Sequence, residues 1–162
     1  TQGIWNFPSK KRVPAIVLER KKEMDCFLRF IDRDPVIQEF LRKDTCYILA
    51  DRYLLAMIFM YFKRAGYKVQ DFTSYSFFVA LFIALDIEED YNFKNELYSW
   101  ALGYHWRERY KELQKSRNAL WKAMDYRAIV SRAQCEKVIS LRPHHYIWRR
   151  IRSPLYAGAK RP

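Results

Sequence analysis

Residues 45–65 read TCYILADRYLLAMIFMYFKRA and are followed by Gly66; they form the longest apolar helical pattern in the chain. Leu49, Tyr53, Ala56, Met57 and Met60 share one face, and Ile48, Leu55, Phe59 and Phe62 widen it beyond the stripe of a surface helix. The spacing predicts a helix over 45–65 covered on several sides, with Gly66 as the left-handed residue past its end. The other segments then have to pack around it. On its C-terminal side, Phe77, Phe78, Ala80, Leu81, Phe82, Ala84 and Leu85 make a second very apolar helix, opened by Thr73 or Ser74. On its N-terminal side, Asp34 before Pro35 marks a helix start, with Asp as N-cap, Pro in the first turn, and Ile37, Phe40 and Leu41 as the buried stripe. Before that, Met24, Phe27, Leu28, Phe30 and Ile31 recur at helical spacing until Asp32 to Asp34 ends the run.

Beyond the two apolar helices come a short helix around 97–102, then Gly103, then an amphipathic helix from Trp106 to Tyr126 with Leu113, Leu120, Trp121 and Met124 on one face. Ser131 with Gln134 three positions on is a capping-box pattern that opens a short helix through Cys135, Val138 and Ile139. The tail HHYIWRRIR, 144–152, brings Tyr146, Ile147 and Trp148 back toward the domain. No stretch alternates several Val, Ile or Thr residues, and only 4 glycines are present, so a sheet has little to be made from. The expectation is an all-α chain of 162 residues: a single helical domain at 15–152 of about five main helices plus short ones, with an extended basic lead-in at 1–14 and a basic tail at 153–162.

The formal net charge is +12, from Lys+Arg 30 against Asp+Glu 18, and phosphate neutralisation is the commonest use of such an excess. Part of the excess lies in the flanks, at Lys10, Lys11, Arg12, Arg20, Lys21 and Lys22 and in the acid-free stretch Arg142 to Pro162. Flanks of that kind also serve as nuclear import signals or keep an aromatic-rich domain soluble. A nuclear location is expected, with the cytoplasm as a second compartment, and a nucleic-acid or chromatin adaptor is the second functional reading. Cys26, Cys46 and Cys135 are odd in number and lack metal-ligand spacing, which suggests neither a disulfide framework nor a zinc site. No segment has 18 consecutive apolar residues, so no membrane span is expected. His105, His144 and His145 form no metal-binding i, i+4 pair, and no P-loop, GxSxG or HExxH pattern occurs, so neither a cofactor nor an enzymatic role is expected.

Asp86, Glu88, Glu89 and Asp90 crowd together where the apolar run 77–85 ends. Carboxylates near a helix C-terminus face the negative pole of the macrodipole, at a cost of a few tenths to roughly 1 kcal/mol each. Either a cation from outside the chain compensates, or the cluster is a solvated loop that tolerates a small penalty.

Taken in order, the motifs LADRYLLAM (49–57), YFKRA (61–65), FFVAL (77–81), EED (88–90), WALG (100–103), MDYRAIVSR (124–132) and HYIW (145–148) resemble the Speedy/RINGO family. The resemblance runs nearly colinear from about 13 to 152. It implies a cyclin-box-like domain that activates a cyclin-dependent kinase as a one-to-one heterodimer, and some members are linked to germ-line and meiotic roles. Such a kinase needs its αC helix rotated inward and its activation segment extended. In most kinases a phosphothreonine gathers arginines for the second task. The resemblance implies little need for that phosphate, so an activator carboxylate beside those arginines is the economical mechanism.

Five kinase-contact candidates follow from the resemblance: Asp51, the lone acid of LADRYLLAM; Asp44, near the start of the same predicted helix; and Glu88, Glu89 and Asp90 of the EED motif. Asp51 has a salt bridge within the chain as its alternative, and Asp44 an N-cap role. Cyclins carry a kinase-gripping lysine at the helix end where Asp86 stands here, so the resemblance carries over the interface's place but not its salt bridges. Tyr53, Phe59, Phe62, Phe72 and Tyr75 are either core residues or interface anchors. The first helix, MDCFLRFI (24–31), lacks the MRAIL-type signature, so substrate docking through a cyclin-type hydrophobic patch is not expected.

Overall fold

The computed structural model describes residues 13–88 and 95–154, and the described part is all-α. Its helices are α1 (Ala15–Arg33), α2 (Pro35–Lys43), α3 (Arg52–Arg64), α4 (Ser74–Glu88), α5 (Leu97–Leu102), α6 (Trp106–Ala123) and α7 (Arg132–Ser140), with 3-10 turns at Val69–Asp71 and Tyr146–Arg149. Helix α4 is the centre. Every residue from Phe77 to Leu85 is buried, so it has no polar face and must be enclosed. It packs against α3, α5 and α6, while α3 also meets α7 and the turn at 146–149. Aromatic edges fasten the first two helices: Phe27 of α1 meets Phe59 and Phe62, and Phe40 of α2 meets Phe77, Phe78 and Trp100.

The helix ends follow local chemistry. Asp34 accepts from the amides of Val36 and Ile37 at 2.9 Å, Thr73 Oγ1 accepts from Ser76 N at 3.0 Å, and Ser131 and Gln134 form the expected reciprocal box. Past α3, Gly66 lies at φ +73, which lets Tyr67 N donate back to Phe62 O at 2.9 Å and sets the Tyr67 ring 5.2 Å from that of Phe62. That is a Schellman stop with its apolar clasp.

One boundary departs from the sequence pattern. Residues 45–50 are a loop, and α3 begins at Arg52. The cause lies far along the chain. The Asp44 carboxylate accepts from the amides of Ile48, Leu49 and Ala50, at 3.1, 3.2 and 2.9 Å. Arg150 donates to the carbonyls of Leu41, Asp44 and Ala50, at 3.0, 3.0 and 2.8 Å, and to Asp44 Oδ2 at 3.0 Å. Arg152 takes the carbonyls of Tyr47 and Ile48. These charges satisfy the backbone groups that a helix would have paired with one another. Helix α6 also stops early, at Ala123 rather than Tyr126, and Trp121, expected on its apolar face, is 40% exposed.

Arg150 is 8% exposed, and burial draws its pKa down while Asp44 pushes it back up. Arg150→Met would strip the guanidinium donors from the Leu41 and Ala50 carbonyls and leave the buried Asp44 carboxylate without its cation, held only by its loop amides. The expected loss is about 3 kcal/mol or more in urea-unfolding free energy, with the fastest-exchanging new amides at 44–52. A loss under about 0.5 kcal/mol, the range of an ordinary surface change, would show that the network does not hold the loop.

The tail is also tied to α1. Arg142 pairs with Asp25 at 2.6 Å, and this hydrogen bond holds the Asp25 carboxyl below its ordinary 3.8. A depressed folded-state pKa means a contribution that is complete above 3.8 and is lost as pH falls through the folded value. Asp25→Asn is therefore expected to flatten the acid limb of stability below that pH and to leave its slope at neutral pH unchanged. Urea midpoints measured across pH check this.

Candidate functional site

The acidic end of α4 meets α6 through Asp86 and acts on Tyr61 of α3 through the Glu88 charge, and α3 in turn holds the loop at 124–131. Asp86 lies 3.1 Å from Arg117 of α6, whose guanidinium also sits 5.9 Å over the Phe82 ring. A cation of the chain itself therefore offsets one of the four clustered carboxylates, where the sequence pattern had left an outside cation as one explanation. Glu88 is half-buried near Tyr61: burial first, then the Glu88 charge, pushes the Tyr61 phenol far above its ordinary value. Glu89 and Asp90, the other two acids of this motif, lie outside the described residues.

Tyr61 and Arg64, one turn apart on α3, grip the loop after α6. Tyr61 donates to Ala128 O at 2.6 Å, and Arg64 Nη1 donates to Arg127 O at 2.6 Å and Ile129 O at 2.8 Å. The loop contains no glycine, yet Asp125 and Tyr126 both take left-handed backbone, at φ 58 and 59. Left-handed conformations cost a non-glycine residue roughly 1–2 kcal/mol, so the surrounding bonds have to enforce them. Tyr126 N donates back to Trp121 O at 2.9 Å, and the two rings meet edge to face at 5.4 Å. The product is a fixed ledge that turns Trp121, Tyr126 and Ile129 outward, the last 76% exposed.

The other sequence candidates sit deeper. Asp51 is the N-cap of α3, accepting from Leu54 N at 2.9 Å with Arg152 at 3.9 Å. Asp44 is bound to Arg150 and to its own loop. Their side chains are only 8% and 6% exposed. The intrachain salt bridge named as the alternative for Asp51 is present with Arg152, and Asp51 is also the N-cap. Asp44, for which an N-cap role was the alternative, instead ends α2 and pairs with Arg150, because α3 starts only at Arg52. The aromatics weighed as anchors are also inward: Phe59 and Phe62 are buried, Phe72 stacks on Phe62 at 5.2 Å, Tyr53 donates to Glu136 at 2.8 Å, and Tyr75 bonds Ser116 at 2.7 Å. Sequence reasoning missed the ledge, although MDYRAIVSR was already visible as a motif, because left-handed Asp and Tyr carry no glycine signal. Among the described residues no His/Cys/Asp/Glu group is placed to hold a metal, and no helix is long and apolar enough to cross a membrane.

Comparison with known proteins matches residues 22–152 to Spy1, described as a cell cycle regulatory protein. The chain belongs to the Spy1 family. Within it, the chain is 46% identical to Speedy protein A of Rattus norvegicus over 157 residues, covering 96% of this chain and 50% of that protein. It is 43% identical to Speedy protein C of Homo sapiens over 141 residues, 86% of this chain and 51% of that one. Speedy protein E4 of Homo sapiens is 34% identical over 145 residues, 89% and 59% of the two chains. The chain thus spans about half the length of the curated Spy1-family relatives it matches most strongly. The matched segment contains every residue of the α4 edge and its ledge, so these are features of a cell cycle regulatory domain.

Arg64→Met would remove both loop bonds while keeping the aliphatic length. The expected outcome is a folded domain with amide exchange at 127–130 faster by about tenfold, from the loss of one to two net hydrogen bonds at roughly 1 kcal/mol each. Unchanged protection there would show that Arg64 does not hold the ledge.

Proposed function

We propose that this chain binds a cyclin-dependent kinase of the cell cycle and activates it, as a regulatory subunit and not as an enzyme. The carrying observation is the ledge of exposed Trp121, Tyr126 and Ile129, held by Tyr61 and Arg64 of α3, with Glu88 at the end of α4 close enough for its charge to act on the Tyr61 phenol. Apolar and aromatic side chains fixed in advance lose little entropy on docking, and such residues dominate interface energetics. Acids beside them suit a cationic counterpart, and the arginines around a kinase activation segment are one. In this reading the ledge docks against αC, holding it inward, while Glu88, Glu89 and Asp90 take the place of an activation-loop phosphate. In the same reading the all-α domain serves as a cyclin-box-like platform for both.

Asp44 and Asp51 enter the proposal differently. For either carboxylate to face a kinase, Arg150 or Arg152 would first have to release it. Their part is to hold the entry of α3, and through α3 the positions of Tyr61 and Arg64. Asp51→Ala should accordingly lower stability by about 1 kcal/mol, the usual cost of losing an N-cap, and weaken kinase binding in proportion to the unfolded fraction.

The decisive measurement adds the purified chain to unphosphorylated cyclin-dependent kinase and follows peptide phosphorylation. Activation is expected. Glu89→Lys, and Ile129→Asp at an exposed position, should each raise the half-maximal concentration about tenfold or more while leaving the melting temperature unchanged. The Glu89 effect should also shrink at high salt, where exposed charge pairs are screened. Wild-type activation by both folded variants would remove the site; binding without activation would reduce the chain to a scaffold.

A further inference from the structure

Helices α1, α3 and α7 leave between them an open groove of about 440 Å³. Its floor is apolar, with Phe59 and Met60 from α3 and Val138 from α7, and its rim carries Arg20, Lys63 and Lys137. No carboxylate is among the residues lining it. Glu23 of α1 reaches Lys63 from outside the groove, which leaves the exposed Arg20 and Lys137 as the main source of positive charge.

The two uncharged polar side chains of the lining are already committed to α7. Ser140 Oγ donates to Lys137 O at 2.6 Å, and Gln134 Oε1 accepts from Ser131 N at 2.9 Å. A small molecule held for its shape and hydrogen bonds would find few groups here to orient it. An apolar floor under a one-signed rim instead matches a segment that shows apolar side chains to one side and carboxylates to the other. We propose that this groove docks an acidic amphipathic peptide segment of a partner protein.

The groove is separate from the α4 edge. Phe59 and Lys63 stand two residues either side of Tyr61, about 160° around α3 from it, since each helical residue turns about 100°. A chain could therefore carry a kinase on one face and a second acidic partner on the other. The complementary charge is local, because the rim has cations and no acid.

The test uses fluorescence anisotropy with three labelled helical probes of roughly 15 residues: one built of Leu and Glu with an apolar stripe, one with Lys for Glu, one with Ser for Leu. The Leu/Glu probe should bind, and the other two should bind at least about tenfold more weakly. Arg20→Glu combined with Lys137→Glu should cost the Leu/Glu probe about tenfold as well, each attraction becoming a repulsion. Lys111→Glu combined with Lys115→Glu, exposed on α6 and equal in charge change, should leave it unaffected. Equal losses in the two double variants would mean that only the net charge of +12 attracts the probe, and would overturn the proposal. Equal binding of the Ser/Glu probe, or no binding of the Leu/Glu probe, would overturn it too. All four positions are exposed, and kinase activation by the Arg20/Lys137 variant is expected to be intact, which separates this test from that of the α4 edge.

Discussion

The buried guanidinium of Arg150 organises the front half of the molecule. A cation withdrawn from water is stable only if its donors find acceptors, and here the backbone of another segment supplies them. The carbonyls of Leu41, Asp44 and Ala50 turn toward it, and the Asp44 carboxylate completes the set. The dependence runs both ways, because Arg52 N donates to Arg150 O at 2.8 Å and so fixes the tail at the mouth of α3. Once these groups are committed, residues 45–50 have no reason to coil, and α3 starts where Asp51 can cap it. An interaction across about a hundred positions of sequence thereby decides a local secondary structure.

That start propagates to the candidate interface. Helix α3 offers different residues on its two sides: Tyr61 and Arg64 hold the 124–131 loop, and Phe59, Met60 and Lys63 line the α1/α7 groove. A shift of α3 by one residue would turn both sets by about 100° and displace the ledge. The rigidity of the ledge thus rests on the accuracy with which α3 is begun, at its opposite end. Asp44 and Asp51 are parts of the device that sets the helix in register.

The apolar pattern was legible where the sequence itself determines the outcome. The all-round apolarity of 77–85 demands burial wherever the helix goes, and Asp34-Pro35, Ser131–Gln134 and Gly66 carry their boundary chemistry within a few residues. The pattern misled where distant charges compete. The run 45–50 is apolar enough for a helix, and nothing local announces Arg150 or Arg152. Trp121 shares its helical face with Leu120 and Met124 closely enough to pass for core, yet Tyr126, left-handed three residues past the end of α6, draws the indole onto the surface ledge. Asp51 was legible as an acid needing a partner, and the sequence left that partner open between this chain and another.

The same electrostatics bear on the contact proposed at the end of α4. In a chain with 30 cations and 18 acids, a carboxylate with an arginine in reach tends to be captured by it. Asp25, Asp44, Asp51 and Asp86 are each paired with Arg142, Arg150, Arg152 and Arg117 respectively. Asp86, at the end of α4, follows this rule through Arg117 of α6. Glu88, Glu89 and Asp90 are consecutive in the sequence, so under the proposed function a cluster of external arginines would meet three acids at once rather than one. A partner with a single cation would gain far less, and the density of acids along the chain is then what selects the kind of partner.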